Sequence, residues 1–145
     1  MGKVLKLAIR KASRAPMQVL EQASVSLDGG VDGDFRGSVK GRQVTVLVRE
    51  AWEAASGELG IAVDWTTRRA NILVEGLDLA ETTGQHLHMG GVVLKITGET
   101  TPCPRMEEAQ AGLQAALATD WRAGVTCVVH KAGNIRVGDE VFLAG

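Results

Sequence analysis

Short runs of β-branched and aliphatic residues, each closed by glycine or aspartate, recur along the chain. This punctuation limits the fold more than any other feature. Lys3–Ile9, Gln22–Leu27, Arg42–Val48, the run to Val74 led in by Arg68-Arg69, Val125–His130 and Glu140–Leu143 all read as strands. His86–Ile96 reads as a hairpin around Gly90-Gly91, and a further short strand lies within Gly133–Asp139. Only two stretches carry a helical period. One has an inner face of Val48, Trp52, Ala55 and Leu59 and a stop at Gly60; the other follows Pro104 through Met106, Ala109, Leu113, Ala116 and Leu117 towards Asp120. The strands come as hairpins and pairs, with too few crossover helices for a doubly wound parallel sheet. The pattern predicts a mainly antiparallel barrel or sandwich.

With 145 residues the chain is read as one domain, 1–145, large enough for a real core. The 18 glycines fit many tight turns. A net charge of -1 gives no reason to expect nucleic acid or an anionic membrane as partner. No run is long enough to span a bilayer, and the charged N-terminus lacks an apolar signal core. Two cysteines, Cys103 and Cys127, argue for reduced thiols in a cytoplasm rather than a disulfide scaffold.

Cys103 sits where a strand hands over to a helix, with Pro102 and Pro104 on either side. If Pro104 opens the helix, backbone N–H groups and the helix dipole favour a thiolate, which is a nucleophile and a soft metal ligand. The competing reading is a buried cysteine that fills space. Cys127, inside an apolar strand, reads as core. Arg42, Arg68, Arg69, Arg105 and Arg122 gather at the mouths of predicted strands, with Lys131 and Arg136 behind them. Converging guanidiniums suit a phosphate, whereas any single one reads as a solvated charge. Strand alternation predicts that only one of Arg68 and Arg69 points inwards.

The loop Asp28–Gly37 has calcium-type oxygen donors but no EF-hand spacing, so it reads as a turn-rich loop with positive φ angles. His86 and His88 share a strand face, with no third metal ligand evident nearby. No serine sits in a nucleophile elbow, and Trp52 and Trp65 read as packing residues.

Six motifs in order resemble the MOSC domain family. They are Gly30-Val31-Asp32-Gly33-Asp34; Arg42-Gln43-Val44-Thr45 with Glu50; Arg69-Ala70-Asn71-Ile72 with Gly76-Leu77-Asp78-Leu79; Pro102-Cys103; Arg122-Ala123-Gly124-Val125; and Gly133-Asn134-Ile135 with Gly138-Asp139. That domain occurs at the C-terminus of molybdenum cofactor sulfurases, in amidoxime-reducing proteins and as stand-alone bacterial proteins. The resemblance runs from about Gly30 to Leu143.

It implies a mainly β, antiparallel or mixed MOSC-like barrel with two or three short helices, and a role in handling sulfur or the molybdenum cofactor (molybdopterin). Cys103 falls on the family's characteristic cysteine, implying a metal ligand or a persulfide carrier. The cofactor's phosphate gives the arginines a purpose. Arg42, Arg68, Arg69, Asn71, Arg122 and Gly124 are the implied binding residues for molybdopterin or another phosphorylated small molecule. Ala70 stands where relatives commonly have glutamate, and Ala123 where a glycine usually follows the arginine.

The chain shows no pyridoxal-phosphate or ferredoxin domain, so a reductase or a cysteine desulfurase is the expected partner. The residues leave three roles open: a molybdenum-cofactor-dependent oxidoreductase module, a sulfur-transfer protein, and a non-catalytic binding barrel with a structural Cys103.

Overall fold

The glycine-punctuated runs close on themselves. In the computed structural model, which describes residues 2–102 and 104–145, β1 (Gly2–Ile9) pairs antiparallel with β6 (Ile72–Glu75). β6 runs parallel to β5 (Val44–Val48), and β5 pairs antiparallel with β9 (Val125–Lys131). From β9 the sheet continues through β8 (Val92–Glu99), β7 (His86–Met89) and β11 (Glu140–Ala144). β11 returns to β1 through Gly2↔Val141. Seven strands thus form a closed mixed barrel, which removes the sticky edges an open sheet would present. β2 (Gln18–Leu20) extends the far end of β1. β3 (Gln22–Ser26), β4 (Gly30–Val31) and β10 (Gly133–Arg136) form a small second sheet.

The β5–β6 pair is parallel because their connection crosses over through α1 (Arg49–Glu58) and a 3-10 turn at Trp65–Arg68. Period-two alternation then loads both faces of the wall. Val4, Val44, Val46, Ile72, Val74, Val125 and Cys127 fill the interior. Ala8, Leu47 and Leu73 face outwards into a second cluster with Trp52, Ala55 and Trp65. Each of these large side chains contributes about 1.5–3 kcal/mol by leaving water. Trp52 satisfies its indole by donating to Val63 O at 2.7 Å.

Three sequence expectations need correction. The helix after Pro104 is two helices, α2 (Pro104–Ala109) and α3 (Leu113–Leu117). Gly112 between them takes φ +87°, which a continuing helix does not allow, and Glu107 accepts its N–H at 2.8 Å. Met106, Leu113, Ala116 and Leu117 remain on one buried face. The strand read over Gln22–Leu27 stops one residue short, leaving Leu27 outside it. β3 ends at Ser26, whose hydroxyl accepts Gly29 N–H, and Leu27 is 55% exposed. Finally, Arg68 and Arg69 do not alternate across a strand: Arg68 ends the 3-10 turn, Arg69 is left-handed at φ +63°, and β6 begins only at Ile72.

Candidate functional site

The outer face that packs on the helices turns polar where they give out. Thr45 stands two residues before Leu47 and Arg10 two residues after Ala8. Both line a cavity of about 450 Å³, together with Thr126 from β9. The leads into β5 and β6 add Arg42, Arg68, Arg69 and Asn71. The exit of β8 and the start of α2 add Thr100, Thr101, Pro104 and Arg105. The loops after β1 and β4 add Arg14, Asp34 and Arg36. Among the described residues seven guanidiniums line the cavity against two carboxylates, Asp34 and Glu108.

Several of these residues hold the wall together. Asn71 is 4% exposed; its Oδ1 accepts from Thr45 N–H at 3.0 Å and its Nδ2 donates to Ala8 O at 3.3 Å. It thereby ties β1 and β5 to the entry of β6. Gln43 donates to Leu27 O at 2.8 Å and accepts from Val129 N–H at 2.8 Å, pinning the Gly-Asp loop to the barrel. Asp34 spends one oxygen on Arg10 N–H at 3.1 Å and the other on Arg36 N–H at 3.2 Å. Arg68 donates Nε–H to Ala123 O at 2.9 Å and reaches the Thr100 hydroxyl.

The charge is dense enough to be felt. Burial lowers the proton affinity of the Arg10 guanidinium. Neighbouring Arg69, Arg36 and Arg105 lower it further, and Asp34 opposes them. Arg69 is lowered by burial and then by Arg105. Its terminal nitrogen donates to Ala15 O, but its buried Nε has no hydrogen-bond partner among the described residues. A buried N–H without an acceptor is costly and asks for one from outside the chain. Elsewhere arginines find acids: Arg49 pairs with Glu53 and Glu75, and Arg122 with Glu58.

A family model described as the MOSC domain matches residues 32–142. The chain belongs to the MOSC domain family. The YUAD protein from Bacillus subtilis has a similar fold, with a TM-score of 0.80 at 19% identity over 99% of this chain and 96% of that one. YiiM from Geobacillus stearothermophilus gives a TM-score of 0.79 at 14% identity over 100% and 76% of the two chains. YiiM from Escherichia coli gives 0.70 at 12% identity over 99% and 70%. No curated protein matches the chain.

Arg42, Arg69 and Asn71, which lie in the MOSC motifs, meet in the cavity with Arg68 from the charge pattern. Arg105, singled out by the charge pattern, joins them. Arg122 and Gly124 do not line it. The Arg122 guanidinium donates to Glu58 at 2.6 Å and to Ala116 O at 3.1 Å, beside a separate hollow near Leu77 and Trp121. Gly124 acts through its backbone: φ is +98°, its carbonyl accepts Thr100 N–H at 3.0 Å, and a Cβ would lie 2.3 Å from Val46 O.

Cys103 lies outside the described residues; Thr101 and Pro104, close to it in sequence, both line the cavity. Ala70 and Ala123, the two departures from the motif, are buried against the helical cluster. His86 and His88 share the outer wall, where His86 meets the His130 ring edge-on and His88 stacks on Phe142. Among the described residues no group of three or more His, Cys, Asp or Glu side chains is arranged to hold a metal.

Sequence reasoning missed Arg10, Arg14 and Arg36. The basic loop Lys11–Pro16 and the glycine-rich loop carried the signal, since both break regular structure and present positive charge.

Proposed function

We propose that this MOSC protein binds the molybdenum cofactor, or another phosphorylated small molecule, in the arginine-lined cavity. In this reading Cys103 acts there as the soft metal ligand or as the carrier of a persulfide. The supporting observation is charge left unneutralised inside a cavity, with the buried Arg69 Nε lacking an acceptor. A phosphate is the group that planar guanidiniums grip bidentately. The donor set therefore fits the anionic end of a pterin phosphate.

Arg69 and Arg105 would hold the phosphate, and Arg10 would add long-range attraction. The hydroxyls of Thr45, Thr100 and Thr126 offer donors and acceptors for a polar ring. Asn71 and Gln43 keep the floor rigid, because their polar atoms are engaged with backbone. Positive charge around the cavity would favour the ionised form of a thiol presented to it. Bound molybdenum would supply the redox chemistry or receive the sulfur. A reductase or a cysteine desulfurase would then be the partner, in a reducing compartment such as the cytoplasm. No helix among the described residues is long and apolar enough to cross a membrane.

Metal and pterin analysis of protein from a cofactor-sufficient host tests the cofactor arm; a preparation with neither argues against it. Mass spectrometry after exposure to a cysteine desulfurase tests the sulfur arm. One added sulfur is expected on wild type and none on Cys103→Ser, and an equal gain on both removes the carrier role.

A further inference from the structure

The arginines are arranged in depth. Arg10, Arg68, Arg69 and Arg105 are half-buried, whereas Arg14, Arg36 and Arg42 stand exposed at the rim. Inner and outer groups belong to one electrostatic site, since Arg36 at the rim and Arg69 and Arg105 within all act on Arg10. The ordinary explanation of exposed arginines is solvated charge. Two observations set this rim apart. Among the described residues Arg14, Arg36 and Arg42 form no ion pair, while Arg49 and Arg122 both do. Asp34, the carboxylate beside them, uses its two oxygens on the backbone N–H groups of Arg10 and Arg36, which fixes the loop carrying Arg36.

A single phosphoryl group has three terminal oxygens, too few to engage the half-buried guanidiniums and the exposed ones together. We propose that the cavity recognises a ligand with two adjacent phosphoryl groups, a phosphoanhydride, the inner group on Arg69 and Arg105 and the outer on Arg14 and Arg36. This deepens the anionic-ligand reading above and rests on it. It names the chemistry of the ligand's charged end as a diphosphate rather than a lone phosphomonoester.

Calorimetric titration of the full chain with inorganic pyrophosphate and with orthophosphate, at matched ionic strength without divalent metal, tests this. Each extra charge-assisted contact is worth about tenfold in affinity or more. Pyrophosphate should bind at least about tenfold tighter than orthophosphate. The double variant Arg14→Gln/Arg36→Gln should weaken pyrophosphate much more than orthophosphate and close most of the gap between them, and Arg69→Gln should weaken both.

Equal binding of the two anions by wild type overturns the diphosphate assignment and leaves the anion site standing. The same holds if the double variant weakens both anions alike. If wild type binds neither anion, the assignment and the underlying reading both fall. Circular dichroism of each variant separates loss of binding from loss of fold.

Discussion

The Arg68 Nε donates to the carbonyl oxygen of Ala123 at 2.9 Å, across 55 residues of sequence. The same guanidinium reaches Thr100 Oγ1, so one side chain fastens the 3-10 turn to the exit of β8 and the entry of β9. Thr100 lies two residues before Pro102, so this contact holds the start of the Pro102–Pro104 segment. Arg68→Lys keeps the charge but replaces a planar fork by a point donor. It should lose about 1–2 kcal/mol, read as a lower urea midpoint at unchanged slope. A midpoint equal to wild type would show that the fork is dispensable.

Gly124 is set by backbone sterics. At φ +98° with Val46 O in the way, Gly124→Ala should cost on the order of 3 kcal/mol or more. Gly138→Ala is the control. Its φ is +97°, but no atom lies within 4 Å of where a Cβ would stand, so strain alone should cost about 1 kcal/mol. Thermal unfolding of the pair separates collision from strain, and similar losses in both would show that the collision relaxes.

Asn71 lines the cavity yet spends its amide on Thr45 and Ala8. Asn71→Ala leaves a buried donor and acceptor unanswered, so a loss of about 2–4 kcal/mol is expected, with any weakening of anion binding following from the loosened wall. If denaturant unfolding were unaffected while phosphate affinity fell, the residue would be a ligand contact instead.

The barrel was legible because its signal is local. Val44, Val46 and Val48 alternate with Leu47 by the pleat alone, whereas β1 needs the register shift between Val4 and Lys6 to bring Val4 and Leu7 to one face and Ala8 to the other. The helix break was not legible, since Gly112 reads equally as a tolerated helical glycine until the path around Leu59 is known. Three of the seven guanidiniums were missed for a related reason. Arg10, Arg14 and Arg36 reach the cavity from two loops that meet only once β1 is in the barrel and Asp34 binds both ends. Arg122 shows the reverse: a motif gives position in the chain but not direction, and Glu58, distant in sequence, captures that guanidinium.

The two cysteines should separate chemically. Cys127 is fully buried in the barrel, and burial pushes its thiol pKa far up, so it should stay unreactive to a thiol reagent until the chain unfolds. Cys103, if it is the reactive thiol proposed here, accounts for one fast equivalent at neutral pH, and Cys103→Ser abolishes it. A fast equivalent that survives in Cys103→Ser would place the reactivity on Cys127 and contradict its burial.

The last expectation concerns pH. Arg10 and Arg69 hold their protons less tightly in the folded chain than an ordinary guanidinium, through burial first and neighbouring arginines second. A base whose folded pKa lies below its unfolded one binds fewer protons when folded, so stability rises as pH climbs through the folded value towards the unfolded one. An ordinary guanidinium gives up its proton only in strong alkali, so that window lies on the alkaline side. These two arginines therefore add no slope near neutrality. A phosphomonoester has a second pKa of about 6 and gains charge on passing it, while the arginines keep theirs. Its stabilisation of the protein, read as the rise in Tm at fixed ligand concentration, should grow from about pH 5 to about pH 8 and shrink in Arg69→Gln. A stabilisation that falls over that interval would mean that the bound species is not the dianion and that the arginines are not what holds it.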